Sequence, residues 1–582
     1  MATQRIVIDP LTRIEGHLRM EMEAQNGTIS DAWCEVTQFR GIEIIVKDRD
    51  PRDVWAFAQR ICGVCTAVHA VASIVAVENA LDYPPPQQAL LIRDLVLGTQ
   101  IVQDHVIHFY HLQALDWVNI PSAAQGDPDA AVAFANQIGS TWTGNSSARM
   151  AEVKATLAGV LGSGQLSIFT NGYWDHPDYR LPPAANLMAV AHYLDALEFQ
   201  RSMIRVATVF GGKNPHPNFL VGGMACSINL DNESTINQVT LNQIEVWLKD
   251  TVDFVGSCYL PDVLAVMGAY KDWFDIGAAP ENFLAVGMAG ATYGGDPGEA
   301  RVLPPLSPVM PGLLLDGNLS KVVPFDPAKI QEFVSSAWYS YEEGDAAGLH
   351  PDRGETNPDY TGPELPWTWV ADSDKYTWSK APRYDGRVVQ VGPVARVLLA
   401  YAQGHPRTRA LVDSSLGTLG ITLAQLNSTA GRIVSRAIEA VTVSEMMLEI
   451  VFAQFVANIK TGNLDVFNTA KWEPSTWPSV AQGYSFAEVA RGNLSHWCTI
   501  ENKKISRYQC VVPTTWLAGG RDPQGQPGSY EYSLAHSGTH PLLLPDQPLE
   551  PLRTIHSFDP CMSCAVHVLD PGGGELHQVL VP

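Results

Sequence analysis

Arg60-Ile61-Cys62-Gly63-Val64-Cys65-Thr66-Ala67-Val68-His69 lies near the start of the chain, and Asp559-Pro560-Cys561-Met562-Ser563-Cys564-Ala565-Val566-His567 lies near its end. Each stretch carries two thiols in Cys-x-x-Cys spacing with a histidine behind them, so both sulfurs of a pair can face one ion. Four thiolates suit a tetrahedral zinc, an iron–sulfur cluster or a soft, redox-active metal such as nickel. Spacing alone does not separate these. A structural zinc usually organises a small local fold, whereas here nearly the whole chain separates the pairs. One site built from both pairs joins the two ends inside a large body, which suits a buried catalytic metal.

Working outward from these pairs, the pattern is mostly helical. The triple proline Pro84-Pro85-Pro86 punctuates the chain, and a helix is predicted over about Leu90–Trp117, with Asp104, His108 and His111 on one face. Further helical periodicity covers Ala185–Phe210, Ile236–Phe254, Pro327–Tyr341, Pro393–Ala402 and Gly431–Lys460, and Asp50-Pro51 starts a helix towards Arg60. The first forty residues alternate as strands. Asn26-Gly27 marks a hairpin turn, with Trp33–Val36 returning from it, and Lys504–Val512 is also strand-like. Residues 266–326 and 343–392 are rich in Gly, Pro, Asp and Trp and are expected to be irregular insertions or peripheral β structure. The fold class expected is mainly α with peripheral β (α+β), with a large helical-bundle core. No repeat or linker divides residues 1–582, so one domain is expected.

Composition narrows the function. The 582 residues are 46% hydrophobic and only 17% charged, which suits a large core and a chain that buries much of its surface either internally, as large proteins do, or against a partner. A net charge of −23 repels phosphate backbones and argues against nucleic-acid binding. No uninterrupted run of about 18 apolar residues predicts a membrane span. The N-terminus lacks a secretory core, so synthesis in the cytoplasm is expected, with association or export through a signal-bearing partner left open. Nine cysteines, an odd number, argue against a disulfide framework; Cys34, Cys226, Cys258, Cys498 and Cys510 stand alone, and most of these are expected to be buried, inert thiols.

The residues around the cysteines resemble the two signatures of nickel–iron hydrogenase large subunits. Other blocks are similar to that family in order along the chain: Asp9-Pro10-Leu11-Thr12-Arg13-Ile14-Glu15-Gly16-His17, Phe39-Arg40-Gly41-Ile42-Glu43, Asp104-His105 through His108-Phe109-Tyr110, Ala490-Arg491-Gly492 through His496-Trp497, and Tyr508-Gln509-Cys510-Val511-Val512-Pro513. The resemblance spans residues 5 to 567. It implies the large-subunit fold and an oxidoreductase that cleaves H₂ heterolytically. Nickel would be bound by Cys62, Cys65, Cys561 and Cys564, with Cys65 and Cys564 bridging to an iron that carries carbon monoxide and cyanide. Cys561 would take the proton first and Glu15 would relay it. Arg491 would lie over the open metal position, held by Asp104 and Asp559. His69 would donate to a bridging sulfur, and Pro513 and Thr514 would line the cyanide pocket. Glu43, the main-chain carbonyl of Cys510 and His567 would hold magnesium or iron near the C-terminus. Two positions depart from the family pattern: Ala490 stands where proline is usual, and Thr514 where serine is common. A cysteine at 561 argues against the selenocysteine variant.

The resemblance also implies partners. No cysteine pattern here provides an iron–sulfur relay, so an iron–sulfur small subunit would carry the electrons away, in a heterodimer or a dimer of heterodimers. In the family a maturation protease cleaves after the histidine equivalent to His567 once nickel-insertion proteins have acted. Residues 568–582 thus read as a propeptide, and Asp570–Gly574 as a turn between two short strands. H₂ uptake is the favoured direction. Two rivals compete: the related quinone-reducing respiratory subunit, which lacks nickel and does not need the four cysteines, and a zinc scaffold, which leaves Glu15, Arg491 and Asp559 without a purpose.

Overall fold

The computed structural model describes residues 3–164, 169–170, 172–287, 307–362 and 369–565, with the side chains of Cys564 and Ala565 outside the description. His567, the 568–582 tail and the turn expected within it also lie outside the described residues.

The N-terminal strands β1 (Gln4–Ile8), β2 (Leu18–Gln25) and β3 (Thr28–Val36) form an antiparallel meander. Asn26 and Gly27 both take positive φ, 55° and 79°, the backbone of a type I′ hairpin turn. The returning strand is longer than the expected Trp33–Val36. Leu18, Met20 and Met22 face the core, yet Arg19 and Glu21 between them are buried too. Segment 369–372 covers that second face, where Glu21 accepts the main-chain N–H groups of Val370 and Ala371.

The helical core follows. It contains α1 (Val68–Leu81), α2 (Gln87–Ile107), α3 (Pro183–Gly211), α4 (Gln238–Phe254), α5 (Leu260–Ala269), α6 (Pro393–Gln403), α7 (Thr429–Met446) and α8 (Ala453–Lys460). Side-chain caps start two of them: Asn237 accepts from Thr240 N, and Ser428 from Gly431 N. The predicted long helices are present but are interrupted by π-turns at 108–113, 255–259 and 447–452. The continuous stretches 238–269 and 429–460 have the length and hydropathy of a membrane span, and about half of each is buried within the protein. α7 carries buried Arg432, Arg436 and Glu439 along with its apolar residues.

Two expectations are corrected. Pro327–Tyr341 is not a helix: a 3₁₀ turn at Pro327–Lys329 leads into strand Ile330–Phe333, paired with Ala381–Tyr384. Its apolar spacing matches a helix, but cross-strand pairing wins. The stretch from Asp50 is a turn, a short helix at Val54–Ala58 and a 3₁₀ turn at Gln59–Ile61. Only the last strand of the second sheet was legible. That sheet comprises β4 (Val480–Val489), β5 (Gly492–Glu501) and β6 (Lys504–Val511), with β5 in the middle and α1 packed on it. The chain then returns through α9 (Leu549–Ser557) to the second cysteine pair.

Candidate metal centre

The first cysteine pair sits in the loop before α1, so Cys65 lies just ahead of a helix N-terminus, a position that favours a thiolate. The Cys65 main-chain N–H donates to Cys62 Sγ at 3.0 Å, and Arg40 holds the loop by donating to the carbonyls of Arg60 and Ile61. The second pair follows α9. Asp559 turns the chain with φ 62°, a conformation aspartate tolerates, and Cys561 follows at once.

The N-terminal motif pins this loop. Glu15 forms a parallel bridge with Cys561, and Met562 N donates to the Glu15 carbonyl at 2.7 Å. Gly16 makes this approach possible. Its φ is +82°, and a Cβ there would lie 2.8 Å from Met562 Cβ. The two ends of the chain are thereby fixed against each other beside the first cysteine loop.

The result is a buried cluster of sulfurs. Cys62 Sγ and Cys65 Sγ lie 3.3 and 3.5 Å from Cys561 Sγ. These separations are too long for a disulfide bond of about 2.05 Å. They approach the roughly 3.8 Å that separates sulfurs bound tetrahedrally to one ion with bonds near 2.3 Å. The donors are soft, buried and convergent, so the residues fit a thiophilic metal. Cys564 lies in the helical turn Met562–Ala565 directly after Cys561, with its side chain outside the described residues.

Charged groups surround the sulfurs. Arg491 stands at the tip of the two-residue turn between β4 and β5 and donates to Cys65 Sγ at 3.1 Å, Asp104 Oδ2 at 3.0 Å and Asp559 Oδ1 at 3.0 Å. All three charged residues are buried. The two aspartates differ. Burial raises the Asp104 carboxyl well above its ordinary range, although Arg491 opposes this. Burial also penalises the Asp559 carboxylate, but Arg491, His108 and Arg436 together hold it below its ordinary range. The second nearby guanidinium, Arg436 at 3.6 Å, marks the difference. Gln100, one turn before Asp104, donates to both Asp104 and the Val64 carbonyl, tying α2 to the cysteine loop.

Glu15 reaches the cluster from the other side. The Cys561 thiol donates to Glu15 Oε2 at 3.2 Å, and Ser563 N donates to the same oxygen at 2.9 Å. Thr514 Oγ1 accepts from Cys561 N at 3.2 Å. A small cavity beside Cys65 is lined by Val68, His69, Leu494, Arg491, Pro513 and Thr514, among others. His69 Nδ1 lies 3.1 Å from His496 Nε2, and His496 Nδ1 lies 2.6 Å from the Tyr508 hydroxyl. Asp104, His108 and His111 were placed on one face, but the π-turn splits their targets. His108 donates to the His556 carbonyl and His111 to the Tyr193 carbonyl.

The predicted oxygen-rich residues form a separate pocket. Glu43 is buried, with Oε1 accepting from Cys510 N at 2.9 Å and Oε2 from the Thr356 hydroxyl. Lys380 donates to Gln509 Oε1 at 2.9 Å and lies 4.0 Å from Glu332, whose carboxyl burial pushes up to about 7. Glu43 therefore meets Cys510 through its main-chain N–H and Thr356 through its hydroxyl, while His567, the third expected ligand, lies outside the described residues. Another buried group, His192, Cys258 and Asp262, is occupied with its own network: both His192 ring nitrogens are engaged, by Asp262 and Asn145.

The sequence assigns no role to Arg40, although it stands in a quoted motif block, nor to Gln100, Arg396, Arg436 and Glu439. A usable signal existed for Arg396: a single charge within an otherwise apolar helix, which a buried helix keeps only when paired.

Fold and site together define a largely helical protein in which the two ends of one chain build a buried cysteine cluster able to hold a metal. Comparison with known proteins agrees. The nickel-dependent hydrogenase family matches residues 40–567, and a HoxL-like family matches residues 5–39. The chain is 44% identical to the hydrogenase-1 large chain of Citrobacter freundii, covering 100% of this chain and 98% of that one. It is 46% identical to the uptake hydrogenase large subunit of Bradyrhizobium diazoefficiens, covering 99% and 97%. Among solved structures, the Ni-Fe-Se hydrogenase of D. vulgaris Hildenborough superposes with a TM-score of 0.74 at 30% identity, over 97% of this chain and 100% of that one. The chain belongs to the nickel-dependent hydrogenase family and is a hydrogenase large subunit.

Proposed function

We propose that this large subunit oxidises H₂, and that Cys62, Cys65, Cys561 and Cys564 would hold nickel, with Cys65 and Cys564 also serving an iron that would carry cyanide and carbon monoxide. When bound, the metal pair supplies the soft, redox-active centre at which H₂ is polarised and from which electrons leave. The observation that carries the reading is the contact of Cys561 with Glu15 on one side of the sulfurs and of Arg491 with Cys65 on the other.

The side chains divide the work. Cys561 takes up a proton at its sulfur, and Glu15 Oε2, 3.2 Å away, accepts it for onward transfer. Arg491 keeps its charge and presents a planar fork, so it orients and polarises what enters beside Cys65 while its other donors rest on Asp104 and Asp559. Pro513, Thr514 and His69 line the cavity that the small iron ligands would fill. Glu43, with Cys510 and His567, holds the second, magnesium-type ion. Electrons pass to an iron–sulfur small subunit, as the large-chain and large-subunit names of the relatives suggest. A protease removes residues 568–582 after nickel-insertion proteins have acted, and the complex works in the cytoplasm or in association with a membrane through its partner. Glu15→Gln tests the proton route. It lowers H₂ oxidation and H/D exchange by about 10² to 10⁴ while nickel content stays at the wild-type level. Exchange at the wild-type rate contradicts the assignment.

A further inference from the structure

Arg491 has to hold its guanidinium beside Cys65 from the tip of a hairpin. Val489 and Gly492 are paired across β4 and β5, which leaves Ala490 and Arg491 as the two loop residues. A two-residue loop of this kind is most rigid when proline fixes its first position. Here that position is Ala490, which fixes nothing by itself. The rigidity comes from a side chain behind the turn.

Arg396, on α6, is buried and has every donor engaged. Its NH1 donates to the Val489 carbonyl at 2.8 Å and its NH2 to the Ala490 carbonyl at 3.1 Å, the two carbonyls immediately before Arg491. Its remaining donors go to Glu439 Oε1 at 2.5 Å, Glu439 Oε2 at 2.6 Å and Glu488 Oε2 at 2.7 Å. The two glutamates are braced in turn. Glu439 Oε2 lies 2.7 Å from His105 Nε2 on α2, and Glu488 Oε1 accepts from Val286 N at 3.0 Å. The start of α6 also meets the turn directly. A Cβ on Gly392 would lie 2.9 Å from the Arg491 carbonyl, and one on Gly492 would lie 2.8 Å from Gly392 N. Five charge-assisted hydrogen bonds from one planar group are geometrically strict, and a network of this sort specifies position more than it adds stability.

We propose that Arg396 is a positioning residue for H₂ cleavage: with Glu439 and Glu488 it clamps the carbonyls of residues 489 and 490 and so fixes the reach of the Arg491 guanidinium over the sulfur centre. It does by ionic hydrogen bonding what a proline at 490 would do covalently. The inference rests on the hydrogenase reading above. Ala490 can accept proline in principle, because it opens the loop after an extended residue, Val489.

The test compares the wild-type complex with Arg396→Gln, Arg396→Lys, Ala490→Pro and the double variant Arg396→Gln/Ala490→Pro, all as purified heterodimers with measured nickel content. Turnover, KM for H₂, and the infrared bands of iron-bound carbon monoxide and cyanide are read per nickel. Arg396→Gln lowers kcat on the order of 10-fold to 100-fold, as expected for a misplaced active-site group. KM changes little and the infrared bands move. Lysine restores little, because it lacks the fork. Ala490→Pro in the Arg396→Gln background recovers most of the turnover and returns the bands towards their wild-type positions. Should Arg396→Gln assemble poorly, the same comparison is made between Arg396→Lys and Arg396→Lys/Ala490→Pro. The proposal is overturned if nickel-loaded Arg396 variants keep wild-type turnover and bands, or if proline raises thermal stability without recovering turnover. A wild-type complex that contains nickel but fails to oxidise H₂ would instead count against the functional reading itself.

Discussion

The sulfur cluster and the Glu43 pocket lie in the same fold and are built on opposite chemistry. At the sulfur cluster, soft donors from both chain ends converge within 3.3 to 3.5 Å, and the surrounding charges, Arg491, Asp104 and Asp559, are held by one another. In the Glu43 pocket a hard carboxylate already accepts a main-chain N–H and a hydroxyl, with Lys380 and Gln509 close by. The first arrangement gathers soft sulfur donors, and the second is a hard carboxylate satisfied by an N–H and a hydroxyl. The contrast teaches that position near the C-terminus does not decide the role of a site; the hardness of its donors and the way its charges are balanced do.

The contrast is broken most directly at the sulfurs. Cys561→Ser leaves a small polar group beside Glu15 but removes a soft ligand, and nickel content and H₂ oxidation are expected to fall to background in the purified complex. A smaller effect is expected from Glu43→Gln. It weakens only the hard site, so activity falls about 10-fold to 100-fold while nickel is retained. Equal nickel loss in the two variants, measured by elemental analysis, would erase the distinction between the pockets. The smallest effect concerns the scaffold behind the second cysteine pair. His540 is buried against Thr554 of α9, and burial depresses its pKa to about 4. The folded protein therefore keeps this ring neutral while the unfolded chain takes up a proton below about pH 6.5. The stability His540 contributes is complete above pH 6.5 and is lost as pH falls towards 4. The difference in melting temperature between wild type and His540→Gln should narrow between pH 7 and pH 5, and a constant difference would contradict the assignment.

Much of this was legible in the sequence. The long helices announced themselves through apolar spacing, and Asn26-Gly27 gave its hairpin. The motif blocks around Glu15, Cys62, Asp104, Arg491, Thr514 and Cys561 meet at one place. Other features were hidden for physical reasons. β4 and β5 bury Ser485, Glu488, Asn493, Ser495 and His496, so the alternation that marks a half-exposed strand is absent. Ile330, Phe333, Val334 and Ala337 have helical spacing, yet Ile330–Phe333 pairs with Ala381–Tyr384, a partner some fifty residues away. The clamp on Arg491 was invisible for the same reason. Arg396 reads as one charge in an apolar helix until Glu439, Glu488 and the turn at 490 are brought to it.

The central claim is that the sulfur cluster is a nickel–iron centre rather than a structural zinc site. The most direct test measures nickel, iron and zinc in the purified native complex, together with infrared absorption in the carbonyl and cyanide region. Nickel and iron are expected in the large subunit, with bands from bound carbon monoxide and cyanide. Zinc without those bands, in a chain processed to end at His567, would contradict it.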